Sequence, residues 1–233
     1  MRPVGPAVDA DPRPRPEQVV LRGHYVTLEP GSITHRPELW RTQQDADPAT
    51  MADSFAYLGY GPFTAEAAFN HWFGGFSARE DHAVWVVRPS LQKAAGWLTL
   101  MDIQTANASI EMGSIWLAPP LQRTRAATET FFLAMTYALE TLGNRRLTWK
   151  CNALNAPSRR AALRLGFSFE GILRNHMIVK GHSRDTAYFS IIAEEWGDVA
   201  RALRSWLEPD NFDAAGRQIA SVEAIRAKLA PVT

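Results

Sequence analysis

The segment Leu117 to Phe132, LAPPLQRTRAATETFF, carries the residues of an anion-binding helix start. A Pro-Pro stop closes an apolar run, a polar turn follows, and Thr124 stands where an N-cap belongs. The first turn of a helix leaves backbone N–H groups without intrahelical partners, and the helix dipole adds positive potential there. The amides of Arg125, Ala126, Ala127 and Thr128 are therefore candidate phosphate donors, with the Arg123 and Arg125 guanidinium groups supplying charge. Glycine is absent from the turn. A backbone that stays near helical angles does not require it.

Other reactive side chains point to less. Cys151 is the only cysteine, which excludes an intrachain disulfide and a cysteine-based zinc site. It reads as a small buried hydrophobe rather than an acyl-bearing nucleophile. The six histidines, His24, His35, His71, His82, His176 and His182, show no metal-ligand spacing, so no metal is expected. A formal net charge of +1 on 233 residues argues against a dedicated nucleic-acid binder. No apolar run is long enough to span a bilayer and the N-terminus has no signal-peptide core, so no membrane partner is expected and a cytoplasmic location is the default.

The elements that must position these groups follow from periodicity. Residues 1–18, rich in proline, read as a disordered or loosely packed tail. VVLRGHYVTLEP alternates as a first strand, THRPELWRTQQ reads as a short helix burying Leu39 and Trp40, and Tyr57 to Phe63 as an aromatic loop. Thr64 is the expected cap of a helix over AEAAFNHWFGGF. HAVWVVRP, KAAGWLTLMDI and ASIEMGSIWLA read as strands. Phe131, Phe132, Met135, Ala138, Leu139 and Leu142 recur at helical spacing before the Gly143-Asn144 stop. RRLTWKC, then APSRRAALRL ended by Gly166, give a strand and a helix, and a hairpin turns at Gly181-His182. EEWGDVARALRSWLEP and the last twenty or so residues read as helical. The sum is one mixed α/β domain over residues 19–196 with a helical extension over 197–233.

Several motifs belong together. Asn155-Ala156-Pro157-Ser158, Arg164-Leu165-Gly166-Phe167 and Glu170-Gly171 follow the helix-start turn, in which Gln122, Arg125 and Ala127 hold the positions of a Gln/Arg-x-x-Gly-x-Gly/Ala motif. This combination resembles the GNAT family of Gcn5-related N-acetyltransferases, and within it the branch of the ribosomal-protein alanine N-acetyltransferases RimJ and RimL. The likeness runs from about Leu21 to Trp196, with Arg125 departing from the first glycine of the turn. The resemblance implies a central mixed, largely antiparallel twisted sheet with flanking helices and two splayed parallel strands, Ser109–Leu117 and Arg145–Cys151. It also implies acetyl-coenzyme A or another acyl-coenzyme A as donor, its pyrophosphate on the amides of Arg123, Thr124, Arg125, Ala126, Ala127 and Thr128 and its pantetheine arm between the splayed strands. The other partner is then an amine acceptor, either a small molecule or a protein N-terminus, and a homodimer is left open.

Acyl transfer needs a neutral amine, a polarised thioester carbonyl and a protonated leaving thiolate. Given that resemblance, Glu111 borders the thioester and is the first candidate base, with Asp102 on the preceding strand the second. Glu111 could instead merely pair with a neighbouring strand or face water. Period-two alternation places Glu111, Gly113 and Ile115 on one face. A backbone N–H around Ile115, Trp116 and Leu117 is the candidate oxyanion donor. Ser158 reads either as the thiolate's proton donor or as a helix-start serine, and Asn155 as a cofactor contact compatible with an N-cap. Glu129 reads as a carboxylate favoured by the helix dipole. His176 and the Tyr57–Phe63 loop with Trp72-Phe73 are candidates for the acceptor wall. A second functional class stays open, a domain that senses acyl-coenzyme A without turnover.

Overall fold

Alternating apolar strands in the middle of the chain pair into one eight-stranded sheet with helices against both faces. The computed structural model describes residues 2–90 and 92–229. In chain order the elements are β1 (Leu21–Arg22), β2 (Val26–Pro30), α1 (Arg36–Gln43), α2 (Pro48–Ser54), α3 (Glu66–Ser77), β3 (Ala83–Pro89), β4 (Gly96–Gln104) and β5 (Ser109–Leu117). There follow α4 (Arg125–Thr136), β6 (Arg146–Asn152), α5 (Ala156–Leu165), β7 (Ser168–Val179), β8 (His182–Ile192), α6 (Ala193–Leu207) and α7 (Val222–Leu229). The sheet order is β1-β2-β3-β4-β5-β6-β8-β7. Every neighbouring pair is antiparallel except β5 and β6.

Strand alternation separates two cores. Ala83, Trp85 and Val87 of β3 face the larger one, with α4 and α6, while Val84 and Val86 face an aromatic cluster under α1 and α3. In that cluster Phe55 stacks on Trp116 and Trp116 on Trp97, with ring centroids 5.3 and 4.7 Å apart.

Several expectations need correction. Helix α3 begins at Glu66 with Ala65 at its cap and no side-chain cap bond, so Thr64 does not cap it. Helix α2 went unread, although Asp47 caps it by accepting from the N–H groups of Ala49 and Thr50, with Pro48 at its first position. Of the last twenty residues only Val222–Leu229 are helical, the segment before them being a short turn and a Phe212–Gln218 bridge; residues 230–233 lie outside the described residues. The N-terminal tail has no helix or strand, yet it is tied down. The Arg13 N–H donates to the Thr105 carbonyl, the Glu17 N–H to the Tyr137 hydroxyl, and the Trp85 indole to the Val19 carbonyl.

The start of α4 is fixed from behind by a buried carboxylate. Glu129 accepts from the backbone N–H groups of His24, Tyr25 and Val26 at 2.9, 2.6 and 2.9 Å. Gly23 lies against it where a β-carbon would collide. Its role is structural, with the β1–β2 turn as partner. Glu129→Gln keeps the shape but turns an amide NH₂ toward a backbone donor. The substitution should cost roughly 2–3 kcal/mol in urea unfolding.

Candidate active site

One cavity of ≈ 970 Å³ gathers most of the residues singled out above. Its floor is the gap between β5 and β6. These strands pair only from Ser109↔Arg146 to Glu111↔Thr148; beyond that they diverge, leaving the edge of β5 from Met112 to Leu117 without β6 as partner. Two bulges in the β4–β5 ladder shape the floor further. One falls between Met101 and Gln104, with Asp102 at φ +46°, and the other puts an extra residue into β5 at Ser114, φ +47°. The second bulge breaks the alternation expected for Glu111, Gly113 and Ile115, so Ile115 does not share their simple period.

The aromatic side wall holds that bulge. The Tyr60 hydroxyl donates to the Ser114 carbonyl at 3.2 Å and accepts from the Trp97 indole N–H at 3.1 Å. Burial pushes the Tyr60 phenol up to about 12, so it remains a donor. The Trp116 indole N–H donates to Ser54 Oγ at the end of α2. Tyr57, Leu58, Gly59, Tyr60 and Trp72 line the cavity as expected of an acceptor wall, whereas Phe73 is fully buried in the core.

The helix-start turn differs from the expectation in two ways. Thr124 caps α4, and its Oγ1 accepts from the Ala127 N–H at 3.1 Å, while the Thr128 N–H donates to the Thr124 carbonyl. Those amides are taken. Among the described residues the N–H groups of Arg123, Arg125 and Ala126 have no partner. Arg123 takes φ +62°, so the turn does enter left-handed space without a glycine. The Arg125 side chain turns away from the cavity, donates to the Tyr25 hydroxyl and lies 3.5 Å over the Phe212 ring. Of the two turn arginines, only Arg123 can offer its guanidinium to an anion in the cavity. Gln122 donates to the Leu117 carbonyl and closes the end of β5.

The carboxylates form a constellation that sequence reasoning missed. Lys150 of β6 sits between them, with Nζ 2.8 Å from Glu111 Oε2 and 2.9 Å from Asp102 Oδ2. Glu111 is 8% exposed, and burial raises its carboxyl above the usual range, with Lys150 opposing. Lys150 holds Asp102 below its usual range. Its own ammonium is raised by the two carboxylates despite burial. The other Glu111 oxygen leans over Gly113, where a β-carbon would stand 2.9 Å from Oε1. A lysine two residues before Asn152 gave no sequence signal, because its reach across two strands depends on the splay.

Asn155 caps α5 by accepting from the Ser158 N–H at 3.1 Å. Ser158 Oγ accepts from the Trp149 indole N–H at 3.0 Å, and its hydroxyl lies beside the Cys151 thiol. Burial pushes the Cys151 thiol up, against a nucleophilic role. His176 lines the cavity and bonds Thr186 Oγ1 through Nδ1. No group of His, Cys, Asp and Glu suited to a metal is found, and no helix is long and apolar enough to cross a membrane, among the described residues.

Residues 26–168, well over half of the chain, match the family described as Acetyltransferase (GNAT) domain. The chain belongs to the GNAT family. A GCN5-related N-acetyltransferase of Brucella melitensis is 42% identical over 93% of this chain and 98% of that one, with a TM-score of 0.89. A GNAT-family structure from Chromobacterium violaceum is 36% identical over 84% of this chain and 100% of that one, with a TM-score of 0.75. The Bacillus subtilis protein named "Putative ribosomal N-acetyltransferase YdaF" is 30% identical over 101 residues, 43% of this chain and 55% of its own length. RimL, the ribosomal L7/L12 alpha-N-protein acetyltransferase, shares the fold at 20% identity over 75% of this chain and 94% of its own, with a TM-score of 0.63. The motifs and the YdaF match support the RimJ/RimL-like branch of the GNAT family.

The ion triad makes a prediction about this GNAT site that needs no assay of function. In Lys150→Met, burial acts on Glu111 with only the weaker field of Arg184 opposing it, so the carboxyl carbon of Glu111 should titrate at higher pH by NMR. A carboxyl whose folded pKa is raised destabilises the fold as pH rises through that value. Asp102, held low by Lys150, contributes stability that is lost as pH falls. Both effects have one sign here: the variant's stability loss should be largest at neutral pH and shrink toward acid pH.

Proposed function

We propose that the protein transfers an acetyl or other short acyl group from acyl-coenzyme A to a primary amine, as a cytoplasmic enzyme whose catalytic domain spans residues 19–196. The observation that carries this reading is the end of β5–β6 pairing at Glu111↔Thr148. It opens one continuous cleft from the unpartnered helix-start amides to a buried carboxylate. The residues present fit the donor. The Arg123, Arg125 and Ala126 amides and the Arg123 guanidinium suit the pyrophosphate. The edge of β5 offers strand-like hydrogen bonds to the amides of an extended arm, and Phe131, Trp149 and Ala161 supply apolar walls. Bound there, the thioester supplies an activated acyl carbon.

An alkylamine with a reference pKa of about 10.4 arrives as ammonium and must lose a proton before it attacks. Glu111, ionised beside Lys150 with Oε1 directed along the cleft, takes that proton, directly or through water. As the C–N bond forms, a backbone N–H of the Ile115–Leu117 segment stabilises the oxyanion. As the C–S bond breaks, Ser158 gives its proton to the thiolate and is later reprotonated from solvent, while the Trp149 indole steadies its oxygen. Asp102 shares Lys150 and keeps that ammonium in place.

The test is thiol release from acetyl-coenzyme A with reactive amine acceptors. Glu111→Gln should lower the rate at neutral pH by about 10²-fold or more and recover part of it at higher pH, where free amine accumulates. A wild-type protein that binds coenzyme A but turns over no amine would instead support the sensor reading. A Glu111→Gln variant with full rate and an unchanged pH profile would remove Glu111 as base.

A further inference from the structure

One cation in the cleft has no use in the scheme above. Arg184 of β8 lines the cavity, across the β7–β8 ladder from Met177 and just past the last β6–β8 pair, Asn152↔Thr186. Cross-strand pairing places Arg184, Thr186 and Tyr188 on the sheet face that carries Lys150 and Asn152. Arg184, Glu111 and Cys151 line the same cavity, and the Arg184 charge favours the ionised form of the other two.

Among the described residues its guanidinium has neither an ion-pair partner nor a hydrogen bond, and its Nε is buried without an acceptor. Three other part-buried cations of the sheet are matched. Lys150 has two carboxylates, Arg88 has Glu29 and Glu38, and Arg146 has Glu170. A guanidinium has five donors and loses water when half-buried, so leaving them unused is unfavourable unless something else supplies oxygen atoms. Asp185, its neighbour in sequence, is committed to the Asn175 N–H at 2.7 Å. Two hydrogen bonds tie the elements around this part of the cavity to one another. Lys180 of the hairpin turn donates to the Phe55 carbonyl, and Tyr57 to the Leu154 carbonyl, tying loop, hairpin and the start of α5 together.

Resting on the acyl-transfer reading, we infer that Arg184 receives a carboxylate of the acceptor, so that the preferred acceptors carry an acidic group close to the reacting amine. The amine then lies toward Glu111 and the carboxylate on the guanidinium fork. A single planar guanidinium suits a carboxylate, which it can bind through two parallel hydrogen bonds, whereas phosphate is more often met by a cluster of cations.

The experiment uses acceptor pairs that differ only in the carboxylate, with the full-length protein. One arm compares 4-aminobutyrate with butylamine; the other compares peptides with Asp or Asn after the amino-terminal residue. In the wild type the acidic member of at least one pair should have the higher kcat/KM, and the arm that responds tells a free amino acid from an acidic peptide. In Arg184→Gln the KM of that acidic member should rise about tenfold or more relative to its neutral partner. Arg184→Lys should recover part of the difference. Equal changes for both members of each pair, or a loss of coenzyme A affinity of the same size, would overturn the inference. Neutral-amine turnover by the wild type reports on acyl transfer separately. Calorimetric titration of the same carboxylates carries the test even without turnover: binding that Arg184→Gln abolishes supports it, and absent or Arg184-independent binding overturns it.

Discussion

The constraint on which the site depends is a ladder that stops. Parallel strands normally satisfy each other's backbone groups along their length, and buried N–H and C=O groups are costly to leave unpaired. Here β5 and β6 part after Glu111↔Thr148. The gap survives because each strand is held from its other side. β5 keeps its ladder to β4, reinforced by Thr99 Oγ1 donating to the Gly113 carbonyl and by Tyr60 on Ser114, and β6 stays paired with β8 along its whole length. The aromatic cluster beneath α1 and α3 thus does more than fill a core, since Tyr60, Trp97 and Trp116 set the shape of the bulge beside the gap.

The gap also explains the electrostatics. Two carboxylates this close would resist joint ionisation, and burial of Glu111 adds to that resistance. Lys150 reaches them because its strand has swung away from β5 at that level. The result is a carboxylate that is buried yet compensated, its pKa still raised by burial although Lys150 opposes the shift. Stability is not the gain from such an arrangement, since buried ion pairs recover little beyond their desolvation cost. What it supplies is a charge of fixed position at the end of the cleft.

Much of the fold was legible in the chain. Period-two runs, the Gly166 stop and the turn read at Gly181-His182, which lies one residue earlier at Lys180-Gly181, mark strands, helix and hairpin close to where they lie. The α2 signal, Asp47 before Pro48, was present and passed over, whereas Thr64 offered a cap that Ala65 took without a side-chain bond. Most of the candidate residues line one cavity, but their geometry was not readable. Bulges at Asp102 and Ser114 arise at non-glycine residues in left-handed conformation, which no local pattern announces. Arg125 was assigned to an anion because of its place in the turn, and tertiary contacts with Tyr25 and Phe212 took it elsewhere. Lys150 and Arg184 look like ordinary strand charges until the sheet brings them to the cleft.

The central claim is that the unpaired edge of β5 and the first amides of α4 together receive an acyl-coenzyme A. Backbone hydrogen exchange with and without coenzyme A tests it most directly, because it reads individual amides rather than overall affinity. Binding should slow exchange in Met112–Leu117 and at Arg123, Arg125 and Ala126, and leave the Ala127 and Thr128 amides, already bonded, little changed. Protection confined to other parts of the sheet, or coenzyme binding with no change along β5, would contradict the account.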